Sequence, residues 1–228
     1  MNFFITGTDT GAGKSVLSLG LTQYLFSAGH HPRYFKPFQT GGKDDPHGDA
    51  GFIYRNVPQL AGRDPGEAVL YNFHEPLAPL FAADREGAAV EAGKFDKAIA
   101  ELAALKDPLV IEGSGGLLVP VTAAATVADF IGRIPLVKVL VAARCGLGTI
   151  NHTLLTLGEL ERRGLPAAGV VMVDSGGACP EPEDLKENIR AIETFSSCKV
   201  LGVIPRVSDL KKDLKPHFHI FEALLKAR

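Results

Sequence analysis

Gly7-Thr8-Asp9-Thr10-Gly11-Ala12-Gly13-Lys14-Ser15 fixes the kind of architecture this chain can adopt. Residues 2–6 before it are apolar enough for a buried strand, and residues 14–28 after it read as a helix that stops at Gly29. A glycine-rich turn in that setting is a phosphate cradle. Backbone N–H groups at a helix N-terminus face the ligand, and the helix dipole favours negative charge there. Gly11 and Gly13 let the backbone close around an anion. Lys14 can set a positive charge on the β- and γ-phosphates of a nucleotide, and the Ser15 hydroxyl can ligate Mg2+. The commonest form of such a loop, G-x-x-x-x-G-K-[ST], would need glycine at position 8. Here Thr8 stands there and the leading glycine is Gly7, so the loop is a longer variant. A plain glycine-rich turn with a surface lysine is the competing structural account, and the strand–turn–helix context weighs against it.

Outward from the loop, short apolar runs alternate with helical patterns. A second strand is expected at 33–36, followed by an uneven stretch with Gly41-Gly42, Pro58, Pro65, Pro76 and Pro79 and a short helix near 49–55. Phe95, Ile99, Leu102 and Leu105 recur at helical spacing over 94–105. Strands follow at 108–111, 136–142, 167–173 and 199–204, with helices at 149–162, 183–195 and 218–226. Continuous Val/Ile/Leu strands separated by helices predict an α/β fold with a parallel sheet covered on both faces, of the P-loop NTPase-like kind. No linker divides it, so one domain over 1–228 is expected.

Composition narrows the function. With 46% hydrophobic residues the chain can bury a substantial core, and a net charge of −2 argues against a nucleic-acid partner. Cys145, Cys179 and Cys198 have neither metal-site spacing nor the density of a disulfide framework, which suits reduced thiols. The first residues lack the basic region and long apolar run of a signal peptide. No apolar run reaches the roughly 18 residues of a membrane-spanning helix. A cytoplasmic protein with no membrane partner is expected.

Three further residues are candidates for the chemistry. Glu112 closes an apolar strand, and in parallel sheets ligands gather at the strands' carboxyl ends, so it is a candidate metal ligand beside the loop; an exposed acid at a strand end is the plainer account. Gly113, Gly115 and Gly116 behind it would let backbone amides approach an anion. Asp49 sits at a helix start, where capping is the favoured account from the residues alone and metal binding the alternative. Lys36, in an otherwise apolar strand before Pro37, suggests a nearby anion, against the alternative of snorkelling to solvent.

These pieces in this order resemble dethiobiotin synthetase. The likeness rests on the loop at 7–15, Lys36-Pro37 with Thr40-Gly41, Asp49-Ala50, Glu75-Pro76 with Pro79, Glu112-Gly113 with Gly115-Gly116, and Leu147-Gly148-Thr149-Ile150-Asn151-His152, with Gly202-Val203-Ile204-Pro205 a weaker match. The resemblance implies an enzyme that joins 7,8-diaminononanoate and CO2 as a carbamate, activates it with the γ-phosphoryl group of a nucleoside triphosphate, and closes a ureido ring. It implies ATP as co-substrate and Mg2+ held by Ser15, Asp49 and Glu112. Thr8, Asp9, Thr10, Gly11, Ala12, Gly13, Lys14, Ser15 and the Glu112–Gly116 turn would bind nucleotide, with Val173, Asp174 and Pro205 on the base side. Lys36, Lys14 and Thr10 would carry catalysis. Thr40 and Pro79 would line the substrate site, and Gly148, Thr149 and Asn151 would present a helix N-terminus to the substrate carboxylate across a homodimer interface; a helix-start role for Asn151 is the structural alternative. The family often has Asn-Asp where this chain has Val173-Asp174, with the Asn reading adenine, so base preference stays open. Ala78 stands where a small hydroxyl residue is frequent.

Two rivals share the loop. A partitioning-type P-loop ATPase switch would carry a lysine near the start of the loop, and 7–10 has none. A glutamine-dependent amidating enzyme would need a glutaminase half, for which 228 residues leave no room. His30-His31, and His217 with His219, lack the third ligand of a metal site.

Overall fold

Strand residues that alternate between two buried faces set the architecture. β1 (Asn2–Gly7) turns Phe3 and Ile5 to one side and Phe4 to the other, and each side has its own core. The structure, a computed structural model, describes residues 1–42, 48–176 and 179–225. After β1 come α1 (Lys14–Ser27), β2 (Arg33–Gln39), α2 (Gly48–Asn56), β3 (Val69–Asn72), α3 (Pro79–Arg85) and α4 (Ala92–Ala104). Then follow β4 (Leu109–Glu112), a small antiparallel hairpin of β5 (Pro120–Thr122) and β6 (Ala125–Thr126), and α5 (Val127–Ile131). β7 (Val137–Arg144), α6 (Thr149–Arg162), β8 (Ala167–Val173), α7 (Pro182–Phe195), β9 (Val200–Ile204) and α8 (Glu222–Leu225) complete the order.

Seven strands form one parallel sheet in the order β3-β2-β4-β1-β7-β8-β9. From the adjacent pair β1 and β4 the chain leaves in opposite directions: β1 leads to β2 and β4 leads to β7. That is the switch point where open α/β sheets hold ligands. One face is covered by α1, α2 and the C-terminal segment, through Leu17, Leu21, Leu25, Ile53 and Phe221. The other is covered by α4, α5, α6 and α7, through Phe95, Phe130, Leu160 and Ile192. Among the described residues no helix is long and apolar enough to cross a membrane.

The expected α/β architecture is present, with local differences, among them the unexpected β5–β6 hairpin and α5. β2 runs through Pro37 to Gln39 instead of ending at Lys36. Its last β4 partner is Phe35, opposite Ile111, so Pro37 lies where no β4 residue needs its missing N–H. β3 and α3 lie in the stretch that read as irregular. β3 is a four-residue edge strand with no fully buried position, and Pro79 starts α3 at a position where proline needs no N–H. The C-terminal helix expected at 218–226 is a 3-10 segment, Lys215–Phe221, followed by the short α8; Lys226 lies outside the described residues. Its three-residue repeat places Phe218, Phe221 and Leu224 on one side, where the first two rings meet Tyr24 with centroids 5.7 Å apart.

α1 depends on one glycine. Gly13 enters the helix at φ 90° and ψ 19°, and a Cβ there would lie 2.5 Å from the Val173 side chain. Gly13→Ala is expected to destabilise the protein by about 2–4 kcal/mol, from left-handed backbone strain plus overpacking. Gly13→Ala/Val173→Ala should recover only the overpacking part. Urea midpoints of the two variants measure the split.

Candidate active site

The carboxyl ends of β1, β2 and β4 bring one set of side chains together. In the register of β1 with β4, Ile5 pairs with Glu112, so the carboxylate emerges level with a position two residues before Gly7 and the phosphate loop. Lys36 comes from β2, on the other side of β4. Asp49 is in the first turn of α2, which Gln39 holds by accepting the Asp49 N–H at 3.0 Å. These residues line one cavity of about 790 Å³ with Thr10, Lys14 and Ser15.

Lys36 is 3% exposed and uses its three N–H groups fully. Its Nζ lies 2.7 Å from Asp49 Oδ2, 3.1 Å from Glu112 Oε1 and 3.0 Å from the Gly113 carbonyl. Burial alone would lower its pKa, but the two carboxylates outweigh burial and raise it. Lys36 is therefore a fixed cation. Asp49 responds in kind: burial pushes its pKa up, while the charge and hydrogen bond of Lys36 and the Ser15 hydroxyl pull it below its ordinary value. Snorkelling does not describe Lys36, and helix capping does not describe Asp49, whose two oxygens meet Lys36 and Ser15.

Lys14 is in the opposite condition. Its stem folds over Gly7 and its ammonium donates to the Asp9 carbonyl at 3.1 Å. Burial first, then repulsion from Lys36, lower its pKa to about 8. Asp9 also accepts the Thr10 N–H at 2.7 Å and pairs with Arg144.

The donor set fits a small divalent cation. Ser15 Oγ lies 2.9 Å from both Asp49 Oδ1 and Glu112 Oε1, and its single proton can satisfy only one of them at a time. Two carboxylate oxygens and a hydroxyl, with room left for phosphate oxygens and water, match the way Mg2+ is held on nucleotides. Among the described residues there is no group of three or more His, Cys, Asp or Glu, so the protein alone does not supply a full cage.

The cavity also takes in Gly11, Gly13, Thr40, Pro79 and Gly115. Gly113 contributes its carbonyl from below, and Ala12 is buried beneath the loop. Thr8, Asp9 and Gly116 line a neighbouring groove of about 410 Å³, together with His152 and Leu155. Val173 does not face the cavity: it is 1% exposed, packed in the core against Gly13, because the left-handed entry to α1 brings the two backbones together. Asp174 follows at the end of β8, its N–H bound to the Ile204 carbonyl, and Pro205 is exposed beyond β9. Gly148, Thr149 and Asn151 open α6 away from this cavity, with Thr149 buried and Asn151 exposed.

Sequence reasoning missed several participants. Tyr34 donates to Glu112 Oε2 at 3.0 Å, and burial, then the Glu112 charge, raise its pKa well above the ordinary value. It stands two residues before Lys36, and strand periodicity was the signal that could have found it. Ser175 donates to the Gly11 carbonyl at 2.6 Å and lines the cavity with Arg55 and Phe52. Only the fold brings these to the loop.

Residues 1–213 match a family model described as an AAA domain. An ATP-dependent dethiobiotin synthetase of Anaeromyxobacter dehalogenans (strain 2CP-1 / ATCC BAA-258) is 43% identical over 213 residues, covering 92% of both chains. That of Bacillus cereus (strain G9842) is 37% identical over 204 residues, covering 89% of this chain and 82% of the relative. Among solved structures, the septum site-determining protein MinD of Pyrococcus horikoshii, complexed with Mg-ADP, has a TM-score of 0.60 at 14% identity, over 99% of this chain and 97% of that one. That is a likeness of fold alone, and the fold is P-loop NTPase-like.

The lowered Lys14 pKa has a measurable consequence. A nucleotide's phosphates favour the charged amine, so above pH 8 binding must take up a proton. Affinity for a non-hydrolysable ATP analogue is expected to fall about tenfold between pH 7 and pH 9, with proton uptake seen in calorimetry across buffers of different ionisation enthalpy. Lys14→Met should abolish the slope.

Proposed function

The chain belongs to the family of ATP-dependent dethiobiotin synthetases, and on that premise we propose that its Lys14–Lys36–Asp49–Glu112 cavity joins 7,8-diaminononanoate, CO2 and ATP into the ureido ring. The observation that carries this reading is the convergence of two ammonium groups, two carboxylates and one hydroxyl on a single cavity wall beside a phosphate loop.

The chemistry needs positioned charge more than a protein nucleophile. One amine of the substrate adds to CO2 and loses a proton, giving a carbamate. A carbamate oxygen attacks the γ-phosphorus and ADP departs, leaving a carbamic–phosphoric anhydride. The second amine then adds to the carbamoyl carbon, phosphate leaves, and the ring closes. The amides of the loop at Gly11 to Lys14 cradle the phosphates, Lys14 sits against the β- and γ-phosphates, and Thr10 completes that wall. Lys36 faces carbamate and γ-phosphate. Its raised pKa keeps it charged through the cycle, so it acts as an electrostatic clamp and not as a base. Ser15, Asp49 and Glu112 would hold Mg2+, which neutralises phosphate charge when bound. Thr40 and Pro79 border the diamine.

The substrate carboxylate is left for a second copy of the chain. The start of α6 lies outside the cavity, and beside it Leu147 and Leu155 are exposed, with Leu118 nearby in the groove next to Thr8 and Asp9. A homodimer that covers these leucines would bring Gly148, Thr149 and Asn151 to the partner's cavity. The free cysteines suit a cytoplasmic setting.

Phosphate release with ATP and Mg2+ should depend on diaminononanoate plus bicarbonate, with dethiobiotin detected by mass. Lys36→Ala is expected to lower kcat about 100- to 1,000-fold. Absence of diamine-dependent turnover with ATP, CTP and GTP alike would sink the reading. For the dimer, Leu147→Asp/Leu155→Asp should sediment as a monomer and raise the KM for diamine by about tenfold or more, while leaving that for ATP in place. A dimeric variant with unchanged KM would refute the shared site.

A further inference from the structure

Glu112 has no exposed surface, yet its two oxygens are treated differently. Oε1 meets Ser15 at 2.9 Å and Lys36 at 3.1 Å, toward the cavity. Among the described residues Oε2 meets only the Tyr34 hydroxyl, at 3.0 Å, on the core side. Tyr34 is 3% exposed and belongs to the core on the α1 face, whereas Phe35 belongs to the core on the opposite face. The period of two along β2 therefore places Tyr34 and Lys36 on the same side of the sheet, both reaching across to β4. The ring is held by packing, and its hydroxyl has no exposed alternative.

We propose that Tyr34 is a positioning residue: by holding Glu112 Oε2 it leaves Oε1 alone to face the cation site, and so restricts Glu112 to single-oxygen coordination. The proposal rests on the reading that Glu112 serves Mg2+. A carboxylate can meet a cation through one oxygen or both. Mg2+ demands near-octahedral geometry at short distance, while Ca2+ accepts bidentate carboxylates and more ligands. An oxygen bound to a buried phenol is withheld from chelation. Removing the hydroxyl leaves a buried carboxylate oxygen without a donor and frees the group to turn. Tyr34 would thus act as a selector between small and large divalent cations, one layer behind the ligands.

The test uses the full chain with a non-hydrolysable ATP analogue, so that no turnover is needed. Mg2+ and Ca2+ binding are measured by calorimetry for the natural sequence, Tyr34→Phe and Glu112→Gln. Second-layer partners of metal ligands typically change affinity about 10- to 100-fold, so Tyr34→Phe should lose that much for Mg2+ and much less for Ca2+. Cation-free binding of the analogue should be unchanged. A Tyr34→Phe variant that keeps the Mg2+/Ca2+ ratio overturns the proposal, including one whose melting temperature alone falls. Glu112→Gln separates the two levels. If it leaves Mg2+ affinity intact, the metal-site reading fails and this inference with it; if it weakens Mg2+ and Tyr34→Phe does not, only the role of Tyr34 fails. Should Tyr34→Phe not fold, a crystal structure of the natural sequence with Mn2+ and the analogue decides. Glu112 presenting Oε1 alone, with the Tyr34 bond retained, supports the proposal, and both oxygens on the cation refute it.

Discussion

The Lys36–Glu112 ion pair is the interaction on which the site depends. Both side chains are almost wholly buried, and taking two charges out of water costs several kcal/mol per ion even after relaxation. Such a pair persists only if the remaining donors and acceptors are met, and here they are: Gly113 and Asp49 complete Lys36, and Ser15 and Tyr34 complete Glu112. The strand order makes this arrangement accessible. β4 lies between β1 and β2, so one carboxylate at its end touches the phosphate loop on one side and the second lysine on the other. Three strands in one sheet cannot drift apart, and the charges inherit that rigidity.

The two lysines divide the electrostatic work. Lys36 is held by two carboxylates and a carbonyl and keeps its charge at any ordinary pH; on the proposed reading it would meet developing charge by exchanging one of these partners. Lys14, whose recorded bond is to a backbone carbonyl, is destabilised as a cation by burial and by Lys36. On the proposed reading, a bound triphosphate would offset that penalty. Ser15 offers one proton to two carboxylates at equal distance.

How much of this was legible in the sequence depended on the range of the cause. The phosphate loop and α1 were readable because their chemistry is local: glycines, a lysine and a hydroxyl in a fixed order after a strand. The boundaries of α6 and β8 matched the expected 149–162 and 167–173, because each is a strongly patterned segment closed by its own punctuation. Asp49 read as a helix cap from the residues alone, since a helix-start acid is most often that. Only the meeting of α2 with β2 and α1 shows its oxygens engaged by Lys36 and Ser15. Val173 shows the converse. Its position in the order of motifs suggested a place beside the base, but its side chain fills the space that Gly13 leaves, a constraint imposed across 160 residues. From that segment it is Ser175, bonded to the Gly11 carbonyl, that reaches the cavity.

α1 and α6 make a final comparison. Both are entered through a left-handed glycine, Gly13 at φ 90° and Gly148 at φ 88°, and neither N-terminus carries a side-chain cap. Each therefore presents uncapped backbone N–H groups with the favourable end of a helix dipole, which suits an anion equally well. Yet only the first opens on the described cavity. β7, which delivers α6, lies on the far side of β1 from Glu112 and Lys36. On the proposed reading, a ligand with phosphate at one end and a carboxylate at the other would use both. A symmetric pairing of two chains, each lending α6 to its partner, would meet that need without altering the sheet, and it would cover Leu147 and Leu155, which the single chain leaves exposed.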